Sequence, residues 1–157
     1  MPDSNCEYRV GVISDTHGLM RPEALTAFQG VSLIIHAGDI GTQEVLRQLS
    51  SVAPVVAVRG NTDQDYWACE LSLTEVVEIG TVSLYVLHNA GELDLDPGAS
   101  GFSAVISGHS HRPLKEKRNG VFFLNPGSAG PKRSKLPVSV AILSIKDKSV
   151  DARIIGL

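Results

Sequence analysis

Histidine, aspartate and asparagine side chains recur in this sequence directly after short apolar runs. Four of the five histidines stand at such places, together with two aspartates and one asparagine. Imidazole, carboxylate and amide oxygen groups without thiolate are ligands suited to Mn, Fe, Co, Ni or Zn. The sequence therefore predicts a site for divalent metal ions. The candidate ligands are Asp15, His17, Asp39, Asn61, His88, His109 and His111.

Two pairs of candidates are separated by two positions, Asp15 with His17 and His109 with His111. In extended backbone, residues i and i+2 project to the same side. We therefore expect each pair to face one site from a single segment of chain. Glycine also directly precedes Asp39, and a glycine there permits a tight turn and close approach of the backbone to a bound group. Gly60 and Gly108 hold the same place before Asn61 and His109.

The number of candidates bears on how many ions the site holds. A catalytic zinc takes about three protein ligands and leaves one position open, so seven candidates favour two ions. Asp39 lies between the other clusters in sequence and is predicted to bridge them. Two carboxylates offset only part of the charge of two divalent ions, which favours an anionic substrate. A phosphate held between metals about 3.5 to 4 Å apart is the standard use of such a pair.

Five apolar runs of strand length, each followed by these polar residues, are predicted to position the site. Helical patterns open near Pro22 and Thr42, which gives a β-α-β-α-β order in the first part of the chain. In such sheets, ligands bind beyond the carboxyl ends of the strands, so distant clusters can converge. The five runs are residues 10–13, 33–37, 55–58, 84–87 and 104–106.

Later in the chain the pattern changes to hairpins. Gly80-Thr81 separates two apolar runs, and Asn119-Gly120 is a strong signal for a type I′ turn. A third pair, residues 138–145 and 150–155, has the same layout. We predict an α/β fold in which mixed β-sheets pack as a sandwich flanked by helices. With 157 residues, 43% of them hydrophobic, residues 1–157 are expected to form one domain.

Composition and charge exclude several classes of protein. The apolar runs are far shorter than the roughly 18 residues of a membrane helix, and Met1–Glu7 lacks the apolar core of a signal peptide, so we expect a cytoplasmic protein without membrane contact. Cys6 and Cys69 form no CxxC pair, which argues against a disulfide scaffold or thiolate site. The net charge of −3 argues against nucleic-acid binding. The sequence does not predict the oligomeric state, and a homo-oligomer is one alternative.

The ordered motifs Asp-x-His, Gly-Asp, Gly-Asn, His and Gly-His-x-His resemble those of the calcineurin-like metallophosphoesterases. The short chain with Gly-Asn-Thr-Asp and Asn125-Pro126-Gly127-Ser128 is most similar to the small bacterial phosphodiesterases related to the retromer subunit Vps29. The resemblance implies a metallo-dependent phosphatase fold and a metal-bridging hydroxide as nucleophile. It implies one metal on Asp15, His17, Asp39 and His111, and a second on Asp39, Asn61, His88 and His109.

By the same resemblance, the chain hydrolyses phosphate esters with two divalent ions, of which Mn is the first expectation and Ni, Fe, Co or Zn the alternatives. Asp39, Asn61 and His88 are its expected catalytic residues. The chain departs from the family pattern at Asn89, which follows His88 where glycine is frequent. Thr62 stands where larger members have a histidine thought to assist the leaving group, and Thr62 is no strong proton donor. We therefore expect phosphodiesters as the preferred substrates, with phosphomonoesters as an alternative that stays open.

Other residues have simpler interpretations. His36 lies between apolar residues and is expected to be a buried histidine satisfied by backbone. Asp63 is expected to close a turn, whereas Asn125–Ser128 is equally compatible with a plain turn and with support of the metal ligands.

Residues 112–135 hold seven basic residues and one acidic residue, most simply a solvated face and alternatively a rim that attracts phosphate. A non-catalytic, Vps29-like protein-binding scaffold is the rival hypothesis for the whole chain.

Overall fold

Two five-stranded β-sheets form most of the protein in the computed structural model, which describes residues 7–157. The strands are β1 (Glu7–Ile13), β2 (Leu33–His36), β3 (Val55–Ala57), β4 (Thr74–Ile79), β5 (Val82–Leu87), β6 (Ala104–Ile106), β7 (Leu114–Arg118), β8 (Val121–Asn125), β9 (Ser139–Lys146) and β10 (Ser149–Gly156). The first sheet has the order β10-β9-β1-β2-β3, and the second has the order β4-β5-β6-β8-β7. Each sheet has three parallel strands with antiparallel strands beside them, so both are mixed.

Two α-helices connect the parallel strands of the first sheet, α1 (Pro22–Ala27) and α2 (Gln43–Ser50). Proline suits the first helical turn because its missing N–H would have no partner there. In α2, Val45 and Leu49 are buried four residues apart on one face, as an amphipathic helix requires. Both helices pack on the outer face of the first sheet, in a cluster that includes Phe28 and Ile34. Short 3₁₀ helices span Tyr66–Glu70 and Ala90–Glu92.

The main core lies between the two sheets, where alternate residues of each strand point inward. In β5, Val82, Leu84 and Val86 enter this core, whereas Tyr85 and Leu87 lie on the opposite face. That outer face of the second sheet is covered by residues of the loop that follows β5, rather than by an α-helix. The predicted sandwich of mixed sheets is confirmed, and its helices flank one side.

All three predicted hairpins are present: β4 pairs with β5, β7 with β8 and β9 with β10. Asn119 and Gly120 have φ values of 50° and 80°, as a type I′ turn requires. Cys69 is an exposed free thiol, and Cys6 lies outside the described residues. Within residues 7–157, every helix is too short to cross a bilayer.

Candidate metal centre

Five loops that follow strands β1, β2, β3, β5 and β6 meet at one edge of the sandwich and carry the predicted ligands. Two groups of side-chain atoms lie close together there, and the ligand atoms within each group are no more than 4.8 Å apart. The first group is Asp15, His17 and His111, and the second is Asp15, Asp39 and His88. The convergence expected from strand ends is therefore present for these five residues.

The carboxylate of Asp15 holds one neighbouring loop and faces the centre at the same time. Its Oδ2 accepts hydrogen bonds from the backbone N–H of His109 at 3.0 Å and from the hydroxyl of Ser14 at 2.7 Å. Its Oδ1 lies 3.3 Å from His111 Nε2 and 3.8 Å from His88 Nε2. One oxygen thus fixes the loop after β6, and the other is available to a cation.

Asp39 repeats this arrangement. Its Oδ1 accepts a hydrogen bond from the backbone N–H of Thr62 at 3.0 Å, while Oδ2 lies 3.3 Å from His88 Nε2 and 3.9 Å from His17 Nε2. Burial raises the pKa of the Asp39 carboxyl, but the contacts with His88 and the Thr62 N–H outweigh it and hold that pKa well below its usual range. Both Asp15 and Asp39, and not Asp39 alone, stand between the histidine groups.

The orientation of His88 fits a cation at the centre of this cluster. Its Nδ1 donates a hydrogen bond to the carbonyl oxygen of Ala37 at 2.7 Å, which turns Nε2 toward the two carboxylates. That Nε2 atom is buried without a hydrogen-bond partner, as is Asp15 Oδ1. Burial lowers the pKa of His88, yet the contact with Asp39 and the Ala37 carbonyl raise it overall. Buried polar atoms without partners are costly, and a cation between Asp15 Oδ1 and His88 Nε2 would satisfy both.

His17 and His111 approach each other through the same kind of atom. Their Nε2 atoms are 3.5 Å apart, and the rings are tilted by 38°. Two imidazole nitrogens bound to one ion at about 2.0 to 2.1 Å would be separated by roughly 3.0 to 3.5 Å. Burial lowers the pKa of His111, with Asp15 opposing and Arg133 adding to the effect, which favours the neutral imidazole that binds metal.

Asn61 and His109 form the exposed side of the site. His109 Nδ1 donates to Asn61 Oδ1 at 3.2 Å, and the rings of His88 and His109 meet edge to face with centroids 5.2 Å apart. His109 lies outside both compact groups of ligand atoms. The structure therefore places all seven predicted residues in one region, five of them in tight clusters and two at its rim.

The backbone of the candidate ligands differs from the extended conformation predicted for them. Left-handed backbone is uncommon for residues other than glycine and costs of order 1 kcal/mol or more per residue. The i and i+2 spacing does bring Asp15 and His17 together, but through these turns and not through an extended strand. Five of the seven candidates have positive φ, namely Asp15 (56°), His17 (46°), Asp39 (56°), His109 (71°) and His111 (61°).

The predicted tight approach at the glycines is present, although the close neighbours are other loops of the protein. A Cβ on Gly60 would lie 2.2 Å from the backbone nitrogen of Asp39, and one on Gly108 would lie 1.9 Å from Ser14 Oγ. Such distances are too short for any side chain. Glycine is therefore needed where the loops that carry the ligands press against each other.

A model of the family described as the calcineurin-like phosphoesterase superfamily domain matches residues 8–148. The chain belongs to this superfamily. It is 37% identical to a probable metallophosphoesterase of Methanothermobacter thermautotrophicus over 161 residues, which covers 93% of this chain and 91% of that protein.

Solved structures show the same superfamily fold. The chain is similar to an archaeal phosphodiesterase with a TM-score of 0.82 and 23% identity, covering 95% of this chain and 99% of the other. It is also similar to zinc-bound Vps29 of Entamoeba histolytica, with a TM-score of 0.72 and 23% identity over 94% of this chain and 98% of that one. A protein described as a phosphodiesterase and a Vps29 protein therefore share the fold of this chain.

His36, the remaining histidine of the phosphoesterase domain, is a fully buried structural residue, as predicted. The backbone N–H of Gly38 donates to its Nδ1 at 3.1 Å, so Nε2 carries the proton and donates to Thr16 Oγ1 at 2.9 Å. The Thr16 hydroxyl in turn donates to the Ile40 carbonyl oxygen. Burial, aided by the nearby charge of His88, lowers the pKa of His36 to about 3. Both ring nitrogens are used within the protein.

Asp63 does more than close the local turn that the sequence analysis expected. Its carboxylate accepts a hydrogen bond from the backbone N–H of Gly60 at 2.9 Å within that turn. It also accepts from the N–H groups of Ile40 at 3.0 Å and Gly41 at 3.1 Å, which belong to the loop that carries Asp39. Asp63 thus joins two ligand loops. The sequence signal for this contact is weak, because the partners are more than twenty positions away.

Asn125–Ser128 supports the ligand loops, which is the second of its two expected interpretations. Asn125 Nδ2 donates to the carbonyl oxygen of Gly108 at 2.9 Å and to Ser110 Oγ at 3.0 Å, on either side of His109. Ser128 Oγ donates to the carbonyl oxygen of Asp15 at 3.0 Å. These contacts touch backbone beside the ligands, and not the ligand atoms themselves.

The basic residues 132, 133 and 135 are exposed, as a solvated face predicts. Arg133 nevertheless lies near enough to His111 for its charge to lower the pKa of that imidazole. One end of the metal centre therefore borders a positively charged surface.

Proposed function

We propose that this chain is a divalent-metal-dependent phosphoesterase that hydrolyses phosphodiesters in preference to phosphomonoesters. One observation carries the proposal: the buried Asp15 Oδ1 and His88 Nε2 atoms face the centre without hydrogen-bond partners. Membership of the calcineurin-like superfamily supports phosphoester hydrolysis as the chemistry.

We assign two ions to the site, in the arrangement that the resemblance to the calcineurin-like metallophosphoesterases implies. The first ion would be held by Asp15, His17, Asp39 and His111. The second would be held by Asp39, Asn61, His88 and His109. The 3.3 and 3.9 Å distances from Asp39 Oδ2 to histidines of both groups are compatible with its proposed role as the bridge, and Asp15 Oδ1 lies at similar distances from His111 and His88. Manganese is the ion that we expect to support activity best, because the donor set holds nitrogen and oxygen without sulfur.

When bound, a pair of divalent ions supplies an activated water nucleophile and neutralises charge on the phosphoryl group. The chain's own residues prepare the site for this. Asp15 and Asp39 keep one oxygen each on a backbone N–H, so the second oxygen stays oriented without reorganisation. The Ala37 carbonyl fixes the tautomer of His88, so that Nε2 is the atom that faces the centre.

The preference for diesters rests on Thr62. Its backbone N–H is bound to Asp39, and its hydroxyl is a poor acid near neutral pH. A histidine at this place could protonate an alkoxide leaving group, and general acid catalysis of that kind contributes typically 10²- to 10⁴-fold. An activated phenolate needs little such help, and a singly charged diester suits a site whose excess positive charge is modest.

The test compares a matched pair of aryl esters, a 4-nitrophenyl phosphodiester and 4-nitrophenyl phosphate, at saturating Mn²⁺. We expect kcat/KM to be higher for the diester, and turnover to disappear on chelation and return when metal is restored. A tenfold or greater preference for the monoester would overturn the substrate assignment. Turnover that survives thorough metal removal would overturn the metal-dependent mechanism.

A second candidate is a protein-binding scaffold, which the similarity to Vps29 favours. Such a protein would bind metal at the same residues without hydrolysing either ester. Metal binding by calorimetry together with undetectable turnover of both esters would support the scaffold.

A further inference from the structure

A cavity of about 550 Å³ opens beside the metal centre. Its wall nearest the centre is formed by Asn61, His88 and His109, which we assign to the second metal. Asp15 and His111 do not line it. The cavity therefore flanks one side of the centre and does not cover it.

The floor of this cavity is apolar because β5 turns its outer face toward it. Tyr85 and Leu87 alternate with the core residues of that strand and line the cavity, together with Leu73, which precedes β4. Leu73 is 59% exposed, an unusual exposure for a large aliphatic side chain. The ring of Tyr85 packs against Phe102 with centroids 5.0 Å apart.

The charges around the cavity are unevenly placed. Glu92 and Asp94, both exposed, contribute two carboxylates from the loop after β5. Arg59 is the basic residue of the lining, and among residues 7–157 it forms no salt bridge. Arg59 belongs to the loop that carries Asn61. Two carboxylates against one guanidinium leave the charged side chains of the lining with one net negative charge.

We propose that this cavity binds the ester group that stays on phosphorus, and that it selects a neutral or cationic, ring-sized group over an anionic one. The inference rests on the proposed phosphodiesterase function. In phosphoryl transfer, the attacking and leaving oxygens are roughly in line, so a cavity to one side of the centre suits the retained ester group. A volume of about 550 Å³ is in the usual range for small-molecule sites.

Charge then decides the class of substrate. An apolar floor favours a ring with little polar surface, and the carboxylates of Glu92 and Asp94 repel a second phosphate or a carboxylate on that ring. A cationic substituent would be attracted by the same two groups. Diesters of simple aryl or ring-containing alcohols therefore fit, whereas diesters whose retained group carries a further phosphate do not.

The experiment uses a series of diesters with one common leaving group, 4-nitrophenolate. The retained ester is methyl, phenyl, 3-carboxyphenyl or 3-(trimethylammonio)phenyl. For the wild-type chain at low ionic strength, we expect kcat/KM for the phenyl ester to exceed that for the carboxyphenyl ester about tenfold, because each carboxylate contributes a few-fold through partly screened solvent. The trimethylammonio ester should equal or exceed the phenyl ester. Raising the salt should narrow both differences.

The double variant Glu92→Gln/Asp94→Asn should reduce the ratio of phenyl to carboxyphenyl turnover to within about threefold. The matched control is Glu78→Gln, an exposed carboxylate on β4 outside the cavity lining, which should leave the wild-type ratio unchanged. A wild-type ratio below twofold, or an unchanged ratio in the double variant, would overturn the charge selection.

Leu73→Trp tests the placement of the ester group independently of charge. Because Leu73 is largely exposed, the variant should fold, and the added ring should fill part of the cavity. We expect the ratio of phenyl to methyl ester turnover to fall at least tenfold, and an unchanged ratio would place the retained group elsewhere. Absence of metal-dependent turnover with every ester would refute the proposed function, and the inference with it. Turnover without these ratios would refute only the inference.

Discussion

Asp63→Ala tests the contact that joins two ligand loops. The substitution removes the acceptor that the backbone N–H groups of Ile40, Gly41 and Gly60 share at 3.0, 3.1 and 2.9 Å. Hydrogen bonds to charged groups contribute about 1.5 to 3 kcal/mol each, and a buried N–H without a partner costs about 1 to 3 kcal/mol. Water can reach part of the space that the carboxylate leaves. We therefore expect the free energy of unfolding to fall by about 4 kcal/mol, a large share of the usual 5 to 15 kcal/mol.

The assay is equilibrium urea unfolding of the metal-free protein, read as a change in midpoint at constant m value. Asp63→Asn keeps one acceptor oxygen and should lose about half as much. Asp65→Ala is the matched control, because Asp65 is exposed and its side chain caps nothing at the 3₁₀ helix that it precedes. A surface change of that kind should stay within about 0.5 kcal/mol. If Asp63→Ala lost less than 1 kcal/mol, the proposed coupling of the two loops would be wrong.

Three further predictions concern the ligands and His36. Metal analysis of the chain after saturation with Mn²⁺ should find two ions per chain, and one ion would contradict the assignment. Asp39→Ala should abolish turnover and weaken both ions in calorimetry, whereas Asn61→Ala should weaken chiefly one; equal effects would argue against Asp39 as the bridge. Burial, with the charge of His88, lowers the pKa of His36 from 6.5 to about 3 in the folded state, so the unfolded state binds the proton more readily between these values. The stability of the metal-free protein should therefore fall by up to about 1.4 kcal/mol per pH unit as the pH drops below 6.5, and His36→Gln should lose this dependence in urea unfolding.

The sequence predicts which strands carry the candidate ligands. It predicts less well the backbone conformation of those residues and the contacts between their loops. Apolar runs and turn signals are local, so β1 to β3, the helices and the three hairpins follow from residues a few positions apart. The left-handed backbone of His109 cannot be predicted from its neighbours in sequence. The hydrogen bond from its N–H to Asp15 Oδ2 joins positions ninety-four apart. The prediction that the paired candidate ligands lie in extended backbone was wrong, because all four residues of the two pairs have positive φ.

Asp63 illustrates the same limit. A sequence pattern places it in a turn with Gly60, but the loop of Asp39 comes within reach only because β2 and β3 are neighbours in the sheet. The cavity beside the centre depends likewise on which face of β5 is turned outward. Contacts between loops require the sheet order, which composition and periodicity do not specify.

The left-handed backbone of the candidate ligands sets the stability of the protein against the proposed activity. Glycine adopts positive φ without the steric penalty that histidine incurs, so His109→Gly would relieve strain while removing a proposed ligand. Laboratory evolution that selects only for thermal stability would therefore favour glycine at the positions with positive φ. The resulting variants would be more stable but would lack the proposed turnover. Any thermostability screen on this scaffold needs an activity filter from its first round.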